Sequence, residues 1–135
     1  MVWETAAKNA GFTTGKPWLP IPEGQRAKAV DAQAGDAGSV LRHYRSMLGL
    51  RRAHPALATG SIRFLDAEGD VLAFVREGGG ERLLCVFNFG DGPADWPLPK
   101  ELGPAGAVDA AGGGAALRGG GLSLPELAWF VGKLG

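Results

Sequence analysis

The chain is poor in the residues that do chemistry unaided. Among its 135 residues there is one cysteine, Cys85, so no internal disulfide can form. That thiol sits inside the apolar run Leu83 to Phe87, where a core role is expected. One cysteine and two histidines, His43 and His54, fall short of the four ligands of a structural zinc site, and no metal or other cofactor is expected. Fourteen Lys and Arg offset fourteen Asp and Glu, giving a formal charge of +0. No basic run is longer than Arg51-Arg52, which argues against nucleic acid or an acidic membrane as partner. Uninterrupted apolar stretches fall far below the ~18 residues of a membrane span. With a lone thiol and no leader pattern, a cytoplasmic setting is expected.

Glycine, by contrast, is abundant, with 23 residues beside 9 prolines. The glycines cluster, and Gly78-Gly79-Gly80 and Gly119-Gly120-Gly121 lie between apolar runs, where glycine supplies the positive φ of tight hairpins. From Gly60 onward the apolar period is two: Ile62 with Phe64, then Val71 to Val75, then Leu83 to Phe89. Leu83, Cys85, Phe87 and Phe89 fall on one face of the third run, and Leu84 and Val86 on the other. Such a strand must be covered on both faces, by a second sheet and by a helix of residues 36 to 53. Ala94 to Leu98 reads as an edge strand limited by Pro93, Pro97 and Pro99, Ala105 to Gly114 as a loop, and the segments around Leu117, Leu122 and Leu127 as the closing strands. This predicts an antiparallel β-sandwich over residues 58–135.

Before it, Asp36 is a good N-cap, and Ala37, Val40, Leu41, Tyr44, Met47 and Leu48 form an apolar stripe at helical spacing. One face of that helix is expected to be buried. Pro55 ends the helix by disfavouring the helical conformation at His54. Residues 1–35 have no strand or helix period, apart from a helical turn within Ala27 to Gly35. Two tryptophans, a phenylalanine and three prolines fall in the first 22 residues, a composition that needs a surface to lie on. The segment reads as the interior of a longer polypeptide.

Three blocks carry a family resemblance. Met1, Trp3 and Glu4, followed by Asn9 to Phe12 and Trp18 to Pro20, match a loop of the pattern R-T-P-M-x-W-D/E, N-A-G-F-T/S, W-L-P-V. Ser39 to Leu57 matches S-V-L-x-x-Y-R-x-L-I-x-L-R-x-x-H/N-P-A-L, and Glu81 to Gly90 matches E-R-L-L-V-V-L-N-F-S. Their order resembles the end of the α-glucosidases of the α-amylase clan, which includes oligo-1,6-glucosidases and trehalose synthases. The resemblance implies a mainly β fold: a C-terminal β-sandwich at 58–135, preceded at 1–57 by an extended arm and one helix that close a (β/α)8 barrel. It implies an α-glucoside or oligosaccharide as substrate of the parent enzyme, with retaining hydrolysis or transfer through a covalent glycosyl-enzyme. The catalytic carboxylates of that family stand on barrel strands upstream of the loop, so no catalytic residue is expected in this chain.

The remaining candidates are weighed residue by residue. Gly11 to Pro17 is one residue short of a phosphate-binding loop and has Pro17 where Ser or Thr is required. Asp66, Glu68, Asp70 and Glu77 have calcium-loop spacing, yet Val71 occupies the position that needs a glycine bend. His43 lies on the polar helix face and His54 at the helix end, neither beside an evident nucleophile. Trp3, Phe12 and Trp18 are the best binding candidates, since flat aromatic faces stack on sugar rings, and they serve equally to pin the arm to a neighbouring surface. An apolar helix face left bare would favour a homo-oligomer.

Overall fold

The computed structural model describes the backbone of residues 1–135 and all side chains except those of residues 107–109. The chain forms two compact units, Met1–Gly49 and Leu50–Gly135.

The first unit is more turned than the extended arm expected for it. A left-handed turn within Lys8–Gly11, α1 (Glu23–Arg26) and α2 (Val30–Gly35) precede α3 (Val40–Ala53), whose last residues belong to the second unit. The cap of α3 is Ser39, whose hydroxyl oxygen accepts the Arg42 amide at 3.3 Å, rather than Asp36. Asp36 instead closes the preceding turn, its carboxylate accepting the Gly38 amide at 2.8 Å. Asx turns and N-caps compete for the same side chains, and the local loop decides between them. The expectation of a buried helix face is overturned. No residue of α3 is buried, and Val40 and Tyr44 of its apolar stripe are 77% and 64% exposed.

The second unit is the mainly β domain. His54 is extended (φ −119°, ψ 103°), as Pro55 demands, and a short α4 (Pro55–Thr59) that the periodicity did not reveal begins at the proline. A five-stranded antiparallel sheet has the order β1-β2-β3-β8-β5, built from β1 (Ser61–Leu65), β2 (Val71–Gly78), β3 (Glu81–Asn88), β5 (Ala105–Gly112) and β8 (Trp129–Leu134). A three-stranded sheet has the order β4-β7-β6, from β4 (Ala94–Pro97), β6 (Ala116–Arg118) and β7 (Gly121–Leu124). Residues 105–112, expected as loop, are therefore a strand paired with β8, although with register shifts. The β2–β3 hairpin turns through Gly79 and Gly80 at φ 64° and 78°, the positive values the glycine cluster was expected to supply.

The core lies between the sheets. Ala73, Val75, Leu84, Val86 and Phe130 of the larger sheet meet Trp96, Leu122 and Leu124 of the smaller. Trp96 donates its indole N–H to the Asp66 carbonyl at 3.1 Å, so its burial leaves no orphan donor. Asn88, 3% exposed, closes the sandwich at the end of β3. Its amide nitrogen donates toward the carbonyls of Gly92, Leu124 and Pro125 at 2.8, 3.1 and 2.9 Å, and its oxygen accepts the Gly90 amide at 2.9 Å.

On the opposite face of β3, Leu83 and Cys85 are also buried. Burial pushes the Cys85 thiol up to about 11, which fits core packing rather than reactivity. The cover found within this unit is α4, which packs against β2 and β3. A row of phenylalanines continues the face, with Phe64, Phe74, Phe87 and Phe89 at successive ring centroid distances of 6.0, 5.9 and 6.1 Å. The β2–β3 register, which puts Phe74 opposite Cys85, sets Phe87 one diagonal step away.

A polar latch fastens α4. Glu81 accepts the Ala56 amide at 3.1 Å through one oxygen, while its other lies 2.9 Å from His54 Nδ1. Arg76 donates to the carbonyls of Ala56 and Gly60 at 3.1 and 2.8 Å. The His54 hydrogen bond, aided by the Ala56 amide, holds the Glu81 carboxyl below the usual carboxylate range, against the opposing effect of burial. His54 thus belongs to a structural pair.

Candidate functional site

The aromatic residues of the first unit are placed by hydrogen bonds rather than by a core. Asp31 accepts the Thr5 amide at 3.1 and 2.9 Å with its two oxygens and the Thr5 hydroxyl at 2.8 Å, and these contacts lower its pKa, the Thr5 amide first. Arg26 donates to the carbonyls of Thr5 and Ala7 at 3.3 and 3.2 Å. Trp3 donates its amide to the Ala10 carbonyl at 2.9 Å, and the Trp3 carbonyl accepts the Asp31 amide at 3.1 Å. The arm is thereby folded back on itself between residues 3 and 31.

Two of the three expected residues come together. Phe12 and Trp18 line a cavity of about 580 Å³ whose wall also includes Met1, Lys16, Leu19 and Gln25. Trp3 does not line it. Phe12 is 58% exposed, Trp18 90% and Trp3 47%, so all three present ring surface. Lys16 and Gln25 were not singled out from the sequence. With Thr13 they are the polar side chains of its wall, the kind of group that orients a ligand in an apolar cavity. Among the described residues no carboxylate lines this cavity. What its described walls offer is stacking and hydrogen bonding.

The second unit offers a larger concavity of about 760 Å³ between the β1–β2 turn and β4, with Asp66, Glu68 and Asp95 in its wall. Trp96 also lines it, but only 4% of that residue is exposed, so its ring gives a ligand no face to stack on. Among the described residues no group of three or more His, Cys, Asp or Glu is arranged to hold a metal ion. Val71, which breaks the calcium-loop spacing, is the first residue of β2. No helix among the described residues is long and apolar enough to cross a membrane.

Comparison with known proteins divides the sequence at the same place as its period change. Residues 1–60 match the family model for the α-amylase catalytic domain, and residues 62–130 that for the maltogenic amylase C-terminal domain. The chain is 46% identical over 105 residues to a probable α-glucosidase of Rhizobium meliloti (strain 1021), covering 77% of this chain and 19% of that protein. It is 36% identical over 106 residues to a probable oligo-1,6-glucosidase 2 of Bacillus subtilis (strain 168), covering 78% and 19%. Among solved structures, the α-glucosyl transfer enzyme XgtA superposes with a TM-score of 0.79 at 40% identity, over 100% of this chain and 25% of XgtA. The trehalulose synthase MutB from Pseudomonas mesoacidophila MX-45 gives 0.82 at 32% identity, over 99% and 24%. The chain thus spans about a fifth of the length of its curated relatives. With both family models matched in order and the mainly β architecture in place, the chain belongs to the α-amylase family of glycoside hydrolases, residues 1–60 matching its catalytic-domain model and residues 62–130 that of the maltogenic amylase C-terminal domain.

Proposed function

We propose that this chain serves as the C-terminal part of a cytoplasmic glycoside hydrolase acting on α-glucosides, with residues 1–57 completing the catalytic barrel and residues 58–135 forming the supporting β-sandwich. The observation that carries this reading is the uninterrupted succession of the two family matches, catalytic domain over 1–60 and C-terminal domain over 62–130. The parent reaction is retaining hydrolysis or transfer through a covalent glycosyl-enzyme, and this chain contributes none of its carboxylates. Its apolar helix stripe, bare here, is the face a barrel would cover.

A chimera tests the reading. The corresponding fifth of the Rhizobium meliloti protein is replaced by this chain, and hydrolysis of isomaltose, maltose and sucrose is measured beside this chain alone. Turnover by the chimera and none by the isolated chain is expected. A folded but inactive chimera, or turnover by the isolated chain, contradicts it.

The cavity between Phe12 and Trp18 favours a second reading, in which the chain itself binds an α-glucoside by stacking. Loss of isomaltose binding in Trp18→Ala is its expected signature, and absence of binding by the unaltered chain sinks it. The exposure of Val40, Tyr44 and Leu48 supports self-association through the same bare stripe. Sedimentation showing a monomer at every concentration excludes that.

A further inference from the structure

Three successive residues, Asn9, Ala10 and Gly11, have φ of 51°, 53° and 70°. For a residue with a Cβ this conformation is costly, and two non-glycine residues adopting it side by side persist only where the surroundings over-determine them. The surroundings here are explicit. Ala10 is fully buried, and its carbonyl accepts the amides of Trp3 at 2.9 Å and Glu4 at 3.2 Å. Gly11 lies against the Glu4 side chain so closely that a Cβ would come within 3.2 Å of Glu4 Oε1. The Asn9 amide nitrogen donates to the carbonyls of Thr13 at 3.0 Å and Gly15 at 2.7 Å, and the Gly15 amide donates to Thr13 Oγ1 at 3.1 Å. Both protons of one carboxamide are committed to the loop that follows Phe12.

That loop separates two spaces. Phe12 and Thr13 line the cavity of about 580 Å³ and also a second, of about 510 Å³, with Lys8, Gly11 and Thr14. The partition is tied at its start by the Phe12 amide, which donates to the Asn9 carbonyl at 3.1 Å, and at its end by the Asn9 side chain. Both ties belong to one residue. We infer that Asn9 is a positioning residue: its left-handed backbone and clamped amide fix the Phe12–Thr13 partition, and through it the shape of the cavity that would receive a pyranose ring. The choice of a sugar rests on the stacking reading above, whereas the positioning does not.

Two substitutions in the full chain separate backbone from clamp. Asn9→Asp keeps size and tolerance of positive φ but faces two carbonyls with acceptors, and Asn9→Gly keeps the backbone freedom and removes the side chain. Amide hydrogen exchange at Phe12 and Gly15 is followed together with the Trp18 indole N–H resonance during titration with isomaltose. Expected in both variants are exchange at Gly15 faster by about tenfold, a displaced Trp18 resonance and an isomaltose response weaker by about tenfold. Exchange at Leu84 and Phe130 should not change. Unaltered exchange at Phe12 and Gly15 in Asn9→Asp overturns the inference whatever the sugar does, and so does acceleration that spreads to Leu84 and Phe130, which would mark a general folding role. If the unaltered chain gives no isomaltose response while the variants still loosen Phe12 and Gly15, the sugar reading fails and the positioning role stands.

Discussion

The two units use similar residues in opposite ways. In Leu50–Gly135 the large apolar side chains of Leu84, Leu122, Leu124 and Phe130 are fully or almost fully buried between sheets. In Met1–Gly49 the buried apolar residues, among those described, are two alanines, Ala10 and Ala29, while Trp3, Phe12, Trp18, Val40 and Tyr44 are exposed. The first unit is held by Asp31, Arg26 and Asn9 clasping backbone groups, and the second by burial. What differs is whether a second apolar surface lies opposite, and hydrogen bonds at an exposed site contribute far less net stability than apolar area removed from water.

The contrast is broken most severely from inside the sandwich. Phe130→Ala should cost about 3–5 kcal/mol by loss of contacts and an unfilled cavity, measured as a fall in the urea midpoint of the β domain. Next comes Asn88→Ala, which strips partners from the Gly90 amide and three carbonyls and should cost about 1–3 kcal/mol in the same assay.

The latch sharpens the comparison through pH. Glu81 has a depressed folded-state pKa, so its contribution is present above the unfolded carboxylate range and lost as pH falls through the folded value. Glu81→Gln should therefore lower the midpoint at pH 7, and the difference from the unaltered chain should shrink toward pH 3. A constant gap across that range would show that the charge on Glu81 does not matter. The smallest effects belong to the first unit. Trp18→Ala and Tyr44→Ser should each shift the β-domain midpoint by less than about 0.5 kcal/mol, because neither removes buried contacts.

How much of this could be read in the sequence follows the range over which each signal acts. Pro55 announced the break at His54, the glycine triplet announced the β2–β3 hairpin, and the two-faced run Leu83 to Phe87 announced a central strand. Those are local signals. β5 was hidden because AGAVDAAG has weak strand preference, and its conformation is decided by pairing with β8. Glu81 and His54 are 27 residues apart, so neither residue announces the other. Phe12 and Trp18 stand out in the sequence as flat aromatics in an arm with no strand or helix period. Lys16 and Gln25 join them only through the fold, and Trp3 is kept out of their cavity by it. Asn9 and Gly11 tolerate positive φ and could have flagged the left-handed turn, but Ala10 between them gives no such sign. The bare stripe of α3 marks the converse case, in which an amphipathic period signals an apolar face that this chain does not bury.

Native-state amide hydrogen exchange on the full chain compares the two units in one experiment. The amides of Leu84, Val86 and Phe130 should exchange only through global opening, and those of Tyr44 and Met47 in α3 at least about a thousandfold faster, through local opening. Equal protection in α3 and the central strands would contradict the account, since the first unit would then share the stability of the sandwich.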